Sequence, residues 1–304
     1  MIEIDDICTR VIHVCVSYYL GEEHEMSVAK LHDGSTLEIE VHGEGPTLLL
    51  PVNPVPVEGP LAEQLRQYGA DPALGQALIK GLSDDFRVVA FDYEGHIRQT
   101  PMPQTLTPDN VAKDFLTVAD AVGADRFTYF GYSWLAMVGL QLAIRTDRLL
   151  ALIMGGYPPI NGPYSEMLRV TIAAYEMAGG GQTAQDADED EWSTAGLSKD
   201  ETQQYVTLYQ ALQDFDDRAI QAQITCPRLC FVGSADEIQY GKKWGDVFVS
   251  LAGPISRGRA ELEALGWSVR VLNGLDHMQA MQAAQVLPII RPWLISKLAA
   301  LPSK

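Results

Sequence analysis

A chain of 304 residues, 47% hydrophobic and 20% charged, is long enough for one large α/β domain with an insertion and too apolar to be broadly disordered. Its 40 Asp and Glu against 22 Lys and Arg give a net charge of −18, which argues against nucleic acid and anionic membrane as partners and favours solubility. Four cysteines (Cys8, Cys15, Cys226, Cys230) are too few for a disulfide framework; with no His or Cys pair downstream of Cys226 and Cys230, buried free thiols in a reducing, cytoplasmic compartment are expected in place of a zinc site.

Residues 1–25 read as an N-terminal extension. The apolar stretch 11–20 is too short to span a membrane, and acidic Glu3, Asp5 and Asp6 with no small-residue cleavage site argue against a secretory signal. Residues 27–31 and 36–41 are strand-like around Asp33-Gly34, a hairpin signal. Thr47-Leu48-Leu49-Leu50 has the continuous apolar character of a buried parallel strand and runs into Pro51-Val52-Asn53-Pro54. Residues 61–82 are helical, split at Gly69 and Asp71-Pro72, and 86–91 is a second buried strand leading to Asp92-Tyr93-Glu94-Gly95-His96. Thr107-Pro108-Asp109 starts a helix whose buried face is Val111, Phe115, Val118 and Val122, with Gly123 as its stop.

Residues 127–132 then form an aromatic and apolar strand, while Leu135, Val138, Leu142 and Arg145 follow at helical spacing. The chain must turn at once, at Gly131-Tyr132-Ser133. Such a break strains the turn residue and lifts its side chain off the sheet, with a helix N-terminus behind it. The strand 149–154 comes next. From 157 to 224 the pattern changes to helices at 164–177 and about 200–223, separated by Gly179-Gly180-Gly181 and an acidic, solvated run at 186–191. Strand character resumes at 228–232, followed by Gly233-Ser234-Ala235-Asp236-Glu237. Residues 240–265 read as largely helical with a break at Gly253-Pro254. The last strand, 267–272, leads through Gly274-Leu275-Asp276 to His277 and a closing helix at 278–298.

Gly131-Tyr132-Ser133-Trp134-Leu135 resembles the Gly-x-Ser-x-Gly nucleophile elbow of the α/β-hydrolase superfamily, with Leu135 where that family prefers glycine. The order Ser133, Asp236, His277, each in a loop after an apolar strand, is similar to the family's triad order. The resemblance implies a mostly parallel central sheet flanked by helices, a core at 26–156 and 225–304, and an α-helical cap at 157–224 after the sixth strand. It implies Ser133 as nucleophile, His277 as general base and Asp236 as the acid orienting it, with Glu237 facing away. The backbone N–H groups of Trp134 and Asn53 would form the oxyanion hole, although Pro51-Val52 replaces the family's His-Gly. The loop at 92–96 has a structural role in the family, so His96 is not expected to be catalytic.

The implied activity is hydrolysis of a small, partly hydrophobic ester through an acyl-serine, with no cofactor or metal and with Tyr132 and Trp134 against the substrate. A serine at the elbow argues against the superfamily's dehalogenases and epoxide hydrolases, which attack with a carboxylate. Thioesterase, C–C hydrolase, lyase or perhydrolase chemistry on the same triad stays open, as does a non-catalytic binding protein, for which Leu135 and Pro51-Val52 speak.

Overall fold

The computed structural model describes residues 25–67, 69–179 and 197–300. The extension at 1–25, apart from the start of the first strand, lies outside the described residues, as do Cys8, Cys15 and the acidic run at 186–191.

The strands are β1 (Glu25–Lys30), β2 (Thr36–His42), β3 (Thr47–Leu50), β4 (Arg87–Ala90), β5 (Phe127–Tyr132), β6 (Leu149–Gly155), β7 (Arg228–Gly233), β8 (Glu237–Gln239), β9 (Phe248–Ser250) and β10 (Trp267–Leu272). Eight of them make one sheet in the order β1-β2-β4-β3-β5-β6-β7-β10, and β8 and β9 pair separately. β1 with β2 and β2 with β4 are antiparallel, while every neighbouring pair from β4 to β10 is parallel. The β1–β2 turn forms as its sequence dictates: Gly34 takes a φ of 89° and the Asp33 carboxylate accepts the Ser35 N–H at 2.9 Å.

The alternation of side chains builds a core on each face of the sheet. Leu49, Tyr129, Leu152, Met154, Cys230 and Val232 face one way; Leu48, Leu50, Phe130, Ile153, Leu229 and Phe231 face the other. The first face is covered by α4 (Pro108–Ala121) and α5 (Trp134–Ala143) together with α8 (Ala252–Arg257) and α9 (Arg259–Ala264). The second is covered by α2 (Leu74–Leu82) and α11 (Ala283–Ala299), through Leu78, Leu82, Val286, Ile290 and Leu294. α1 (Gly59–Gln67), α3 (Tyr93–Gln99) and α10 (His277–Ala280) are shorter pieces at the strand ends. No described helix is long and apolar enough to cross a membrane.

Between β6 and β7 stand α6 (Tyr164–Met177), α7 (Lys199–Gln210) and a 3-10 turn at Ala219–Gln223. α6 and α7 pack on each other. α7 is tied to the chain after β4 by its side chains. Gln204 accepts the Met102 N–H at 3.1 Å and donates to the Ile97 carbonyl at 3.0 Å, and Thr207 donates to the Pro103 carbonyl at 2.6 Å.

Four local expectations need correction. The second helix of the insertion stops at Gln210 and does not run to 223, because Asp216 accepts the Arg218 and Ala219 N–H groups and Asp217 turns to hold Asn161 and Gly162. Residues 240–250 form the β8–β9 connection and its second strand, with only a single 3-10 turn at Lys242–Trp244 in place of a helix, since Gly245 and Asp246 both take positive φ; the helices that follow break at Gly258. Residues 93–99 are helix α3 and not a loop, with Asp92 capping the Gly95 N–H at 2.8 Å. The closing helix is two helices: Asp276 caps α10 in a reciprocal box with Gln279, and α11 starts afresh at Ala283.

Candidate active site

Ser133 stands between β5 and α5 with φ 55° and ψ −133°, a region that non-glycine residues enter only under constraint. The constraint is visible. Its N–H donates to the Gly155 carbonyl of β6 at 2.8 Å, and its carbonyl accepts the Ala136 N–H at 2.9 Å, so the backbone is pinned on both sides. The side chain makes no capping bond and stays partly exposed. The close approach of helix to strand falls at Gly131, where a Cβ would lie 2.3 Å from the Leu135 carbonyl oxygen. Tyr129 donates to that same oxygen at 2.6 Å. Leu135 itself is buried in the core. The non-glycine residue therefore sits where the turn has room for it, and the tight contact is met on the strand side.

The three residues read from the sequence all follow the C-terminal ends of parallel strands: Ser133 after β5, Asp236 after β7 and His277 after β10. Ligand and catalytic groups collect at that edge of open α/β sheets. Asp236 is 1% exposed, and its carbonyl is held by the N–H groups of Leu251 and Ala252 at the start of α8. One carboxylate oxygen meets the imidazole Nδ1 of His277 at 2.8 Å; the other is buried with no hydrogen-bond partner among the described residues. Glu237, the neighbouring acid, is exposed and takes the Ser250 hydroxyl at 3.0 Å, so it points away from the imidazole.

His277 opens α10. β7 can pass close beneath its loop only because residue 233 is glycine: a Cβ there would be 2.2 Å from the Leu275 carbonyl oxygen. Engagement of Nδ1 by Asp236 leaves Nε2 as the free ring nitrogen. The imidazole packs on the ring of Tyr132, centroids 5.0 Å apart, and the Tyr132 hydroxyl donates to the His277 carbonyl at 2.7 Å. His277 is thus fastened to the residue preceding Ser133. Among the described residues the Ser133 hydroxyl makes no hydrogen bond, and contacts of this kind commonly tighten only with substrate present. Burial, with the charges of Asp236 and Asp276, holds the Tyr132 phenol well above its ordinary pKa. Tyr132 therefore remains a neutral donor to His277; its hydroxyl is not free for substrate.

Trp134 is the first residue of α5, so its N–H belongs to the set without an intrahelical acceptor. Its indole leans on Tyr93 (6.4 Å between centroids) and meets Tyr205 of α7 edge-on at 5.8 Å. Asn53 is exposed in the loop after β3, its side chain accepting the Val55 N–H at 2.9 Å. His96 hydrogen-bonds to Ser35 at the β1–β2 turn.

One buried group was not anticipated. Asp114, fully buried on α4, accepts the His32 N–H at 2.7 Å, the His32 imidazole at 2.8 Å and the Tyr93 hydroxyl at 2.8 Å. It joins the first hairpin, α3 and α4, and its partner Tyr93 in turn lies against Trp134. The signal was an acid three residues after Val111 on the otherwise apolar stripe of α4.

Comparisons with known proteins bear on the family and on the fold. A family model described as the alpha/beta hydrolase fold matches residues 69–221. The putative carbamate hydrolase RutD of Agrobacterium fabrum is 29% identical over 119 residues, 38% of this chain and 40% of the relative. The 3-oxoadipate enol-lactonase 1 of Acinetobacter baylyi is 24% identical over 125 residues, 41% of this chain and 42% of the relative. The chain thus spans less than half the length of these two curated relatives. Among solved structures, a carboxylesterase of Nitrososphaera gargenis superposes with a TM-score of 0.57 at 17% identity, covering 90% of this chain and all of that one (100%). A hydrolase of Pseudomonas aeruginosa gives 0.56 at 19% identity, covering 91% and 99%. At such identities the structures speak for the fold alone.

Proposed function

The chain belongs to the α/β-hydrolase-fold family, and on that premise we propose that it is a serine hydrolase acting on a small, partly hydrophobic carboxylic ester. Ser133 attacks the carbonyl while His277 takes its proton at Nε2; Asp236 holds the imidazole in that tautomer and stabilises the imidazolium. The N–H groups of Trp134 and Asn53 receive the oxyanion, each such donor being worth about 3 kcal/mol of barrier. The alcohol leaves with the proton from His277, and water then enters by the reverse sequence, releasing acid and Ser133. The hydrogen bond of 2.8 Å between His277 Nδ1 and buried Asp236 carries this reading, since it fixes which nitrogen is available to a hydroxyl.

In this reading residues 26–156 and 225–304 are the catalytic core and 157–224 a helical cap over the strand ends, closing the site through the contact of Tyr205 with Trp134. We place the protein in the cytoplasm on the strength of its cysteine content; Cys226 and Cys230 are both free, and burial raises the Cys226 thiol pKa to about 11. A carbamate or lactone carbonyl is the second reading, favoured by relatives named as a carbamate hydrolase and an enol-lactonase. Steady-state kinetics on matched 4-nitrophenyl esters, thioesters, lactones and carbamates, for wild type and Ser133→Ala, test both. We expect turnover of esters that vanishes in the variant; full esterase activity in Ser133→Ala would refute the assignment.

A further inference from the structure

A second line of carboxylate, imidazole and hydroxyl is already assembled elsewhere in the chain, and the acyl-transfer steps at Ser133 do not use it. It joins the turn after β1, the loop before α4, and α4 itself. Asp114 is fully buried and accepts hydrogen bonds from the His32 N–H, His32 Nδ1 and the Tyr93 hydroxyl at 2.7, 2.8 and 2.8 Å. A carboxylate can only accept, so Nδ1 carries the proton and Nε2 of the neutral ring holds a lone pair. That nitrogen meets Thr105, whose hydroxyl oxygen lies 3.0 Å away and donates to it. The His32 side chain is only 6% exposed, whereas Thr105 is exposed. The base is thus shielded and the hydroxyl is presented to solvent. The Thr105 backbone is fixed as well. Its carbonyl accepts the Thr107 N–H at 2.7 Å and the Asn110 side-chain amide at 2.8 Å, and its N–H donates to the Met102 carbonyl at 3.1 Å.

We propose that Thr105 is a second nucleophile, a modification site on the surface that takes an acyl group from an activated aryl ester. This role does not rest on the acyl-serine reading of Ser133. Thr105 Oγ1 bonds to the acyl carbon as its proton passes to His32 Nε2, and the bond from that carbon to the aryl oxygen breaks. The aryl oxide leaves as an anion, and the imidazolium, stabilised by Asp114, then gives its proton to water. General-base assistance is worth about 10²–10⁴-fold, which suits a donor whose leaving group departs unaided better than an alkyl ester. Threonine is a far poorer leaving group than an aryl oxide. The acyl group therefore stays on Thr105 once transferred, and the site reacts once.

The test incubates the full chain carrying Ser133→Ala, so that Ser133 does not consume the donor, with excess 4-nitrophenyl acetate. Acetylation is followed by quenched, site-resolved mass spectrometry, with Thr100, also exposed, as the internal reference. We expect Thr105 to be acetylated about a hundredfold faster than Thr100 in the folded protein, and the ratio to fall to near one in urea. Added to this background, His32→Asn keeps an amide N–H where Nδ1 stands, and so the bond to Asp114, but removes Nε2. There the Thr105 rate falls towards that of Thr100, while Thr105→Ser keeps the enhancement; thermal melts establish folding. A ratio near one in the folded protein, or a ratio unchanged in folded His32→Asn, overturns the proposal. Should His32→Asn fail to fold, the folded and urea-denatured protein decide: equal ratios overturn the role of Thr105, and an enhancement present only in the folded chain upholds it.

Discussion

At Ser133 the backbone and the chemistry make opposite demands. A φ of 55° suits glycine, and a non-glycine residue held there costs about 1–3 kcal/mol, yet the hydroxyl is the group the proposed reaction needs. Ser133→Gly should therefore raise the unfolding free energy measured in urea by about 1 kcal/mol, after the extra chain entropy of glycine is deducted, while eliminating turnover. Asp236→Asn disturbs the tautomer of His277 and should lower kcat by about 10⁴-fold with little change in KM. Asp114 acts differently. Replacing it by Ala strands the His32 ring and N–H and the Tyr93 hydroxyl in the interior, and we expect a loss of about 3–5 kcal/mol in chemical denaturation, with kcat reduced far less than by Asp236→Asn. The places of Ser133, Asp236 and His277 at the strand ends were legible because each follows a strand in a short loop; their joint catalytic role is the proposal. Asp114 was passed over: an acid on the apolar stripe of α4 marks a buried position but does not say which distant segments converge on it.

Elements carry a second set of consequences. The elbow depends on Gly131, not on position 135, for the approach of α5 to β5. Gly131→Ala would force backbone apart from backbone, and an unfolding free energy lowered by about 2 kcal/mol or more is expected, against under about 1.5 kcal/mol for the volume-conserving Leu135→Met. The entry to the insertion depends on Asp217, whose carboxylate accepts the N–H groups of Asn161 (φ 58°) and Gly162 at 3.1 and 2.8 Å. Desolvation raises its pKa in spite of those bonds. A carboxyl whose folded pKa exceeds the unfolded value binds its proton more tightly when folded, so its contribution to stability declines as pH rises between the two. The stability gap between wild type and Asp217→Ala should accordingly narrow from acidic towards neutral pH in calorimetry. Such couplings also explain the misread elements. The helical spacing after Gln210 and after Tyr240 was real as a pattern, but Asp216, Asp217, Gly245 and Asp246 bond to or release the backbone in ways that only the tertiary contacts reveal.

At the scale of the molecule, the parallel run from β4 to β10 explains why so much could be read from the chain. Continuous apolar strands alternating with amphipathic helices admit few other arrangements, and all right-handed crossovers deliver their loops to one sheet edge. The exact placement of the helices between β6 and β7 was not legible, because their contacts with residues 97–103 are made by single polar side chains, Gln204 and Thr207, with no periodicity behind them. The proposed chemistry turns on an activated hydroxyl at that edge. Treatment of the folded protein with a fluorophosphonate, followed by peptide mass spectrometry, examines it most directly. The prediction is one stoichiometric adduct on Ser133 that forms at least a hundredfold more slowly in His277→Ala, roughly the contribution of a positioned general base. No adduct in folded wild type, or an adduct on another residue with Ser133 unmodified, would contradict it.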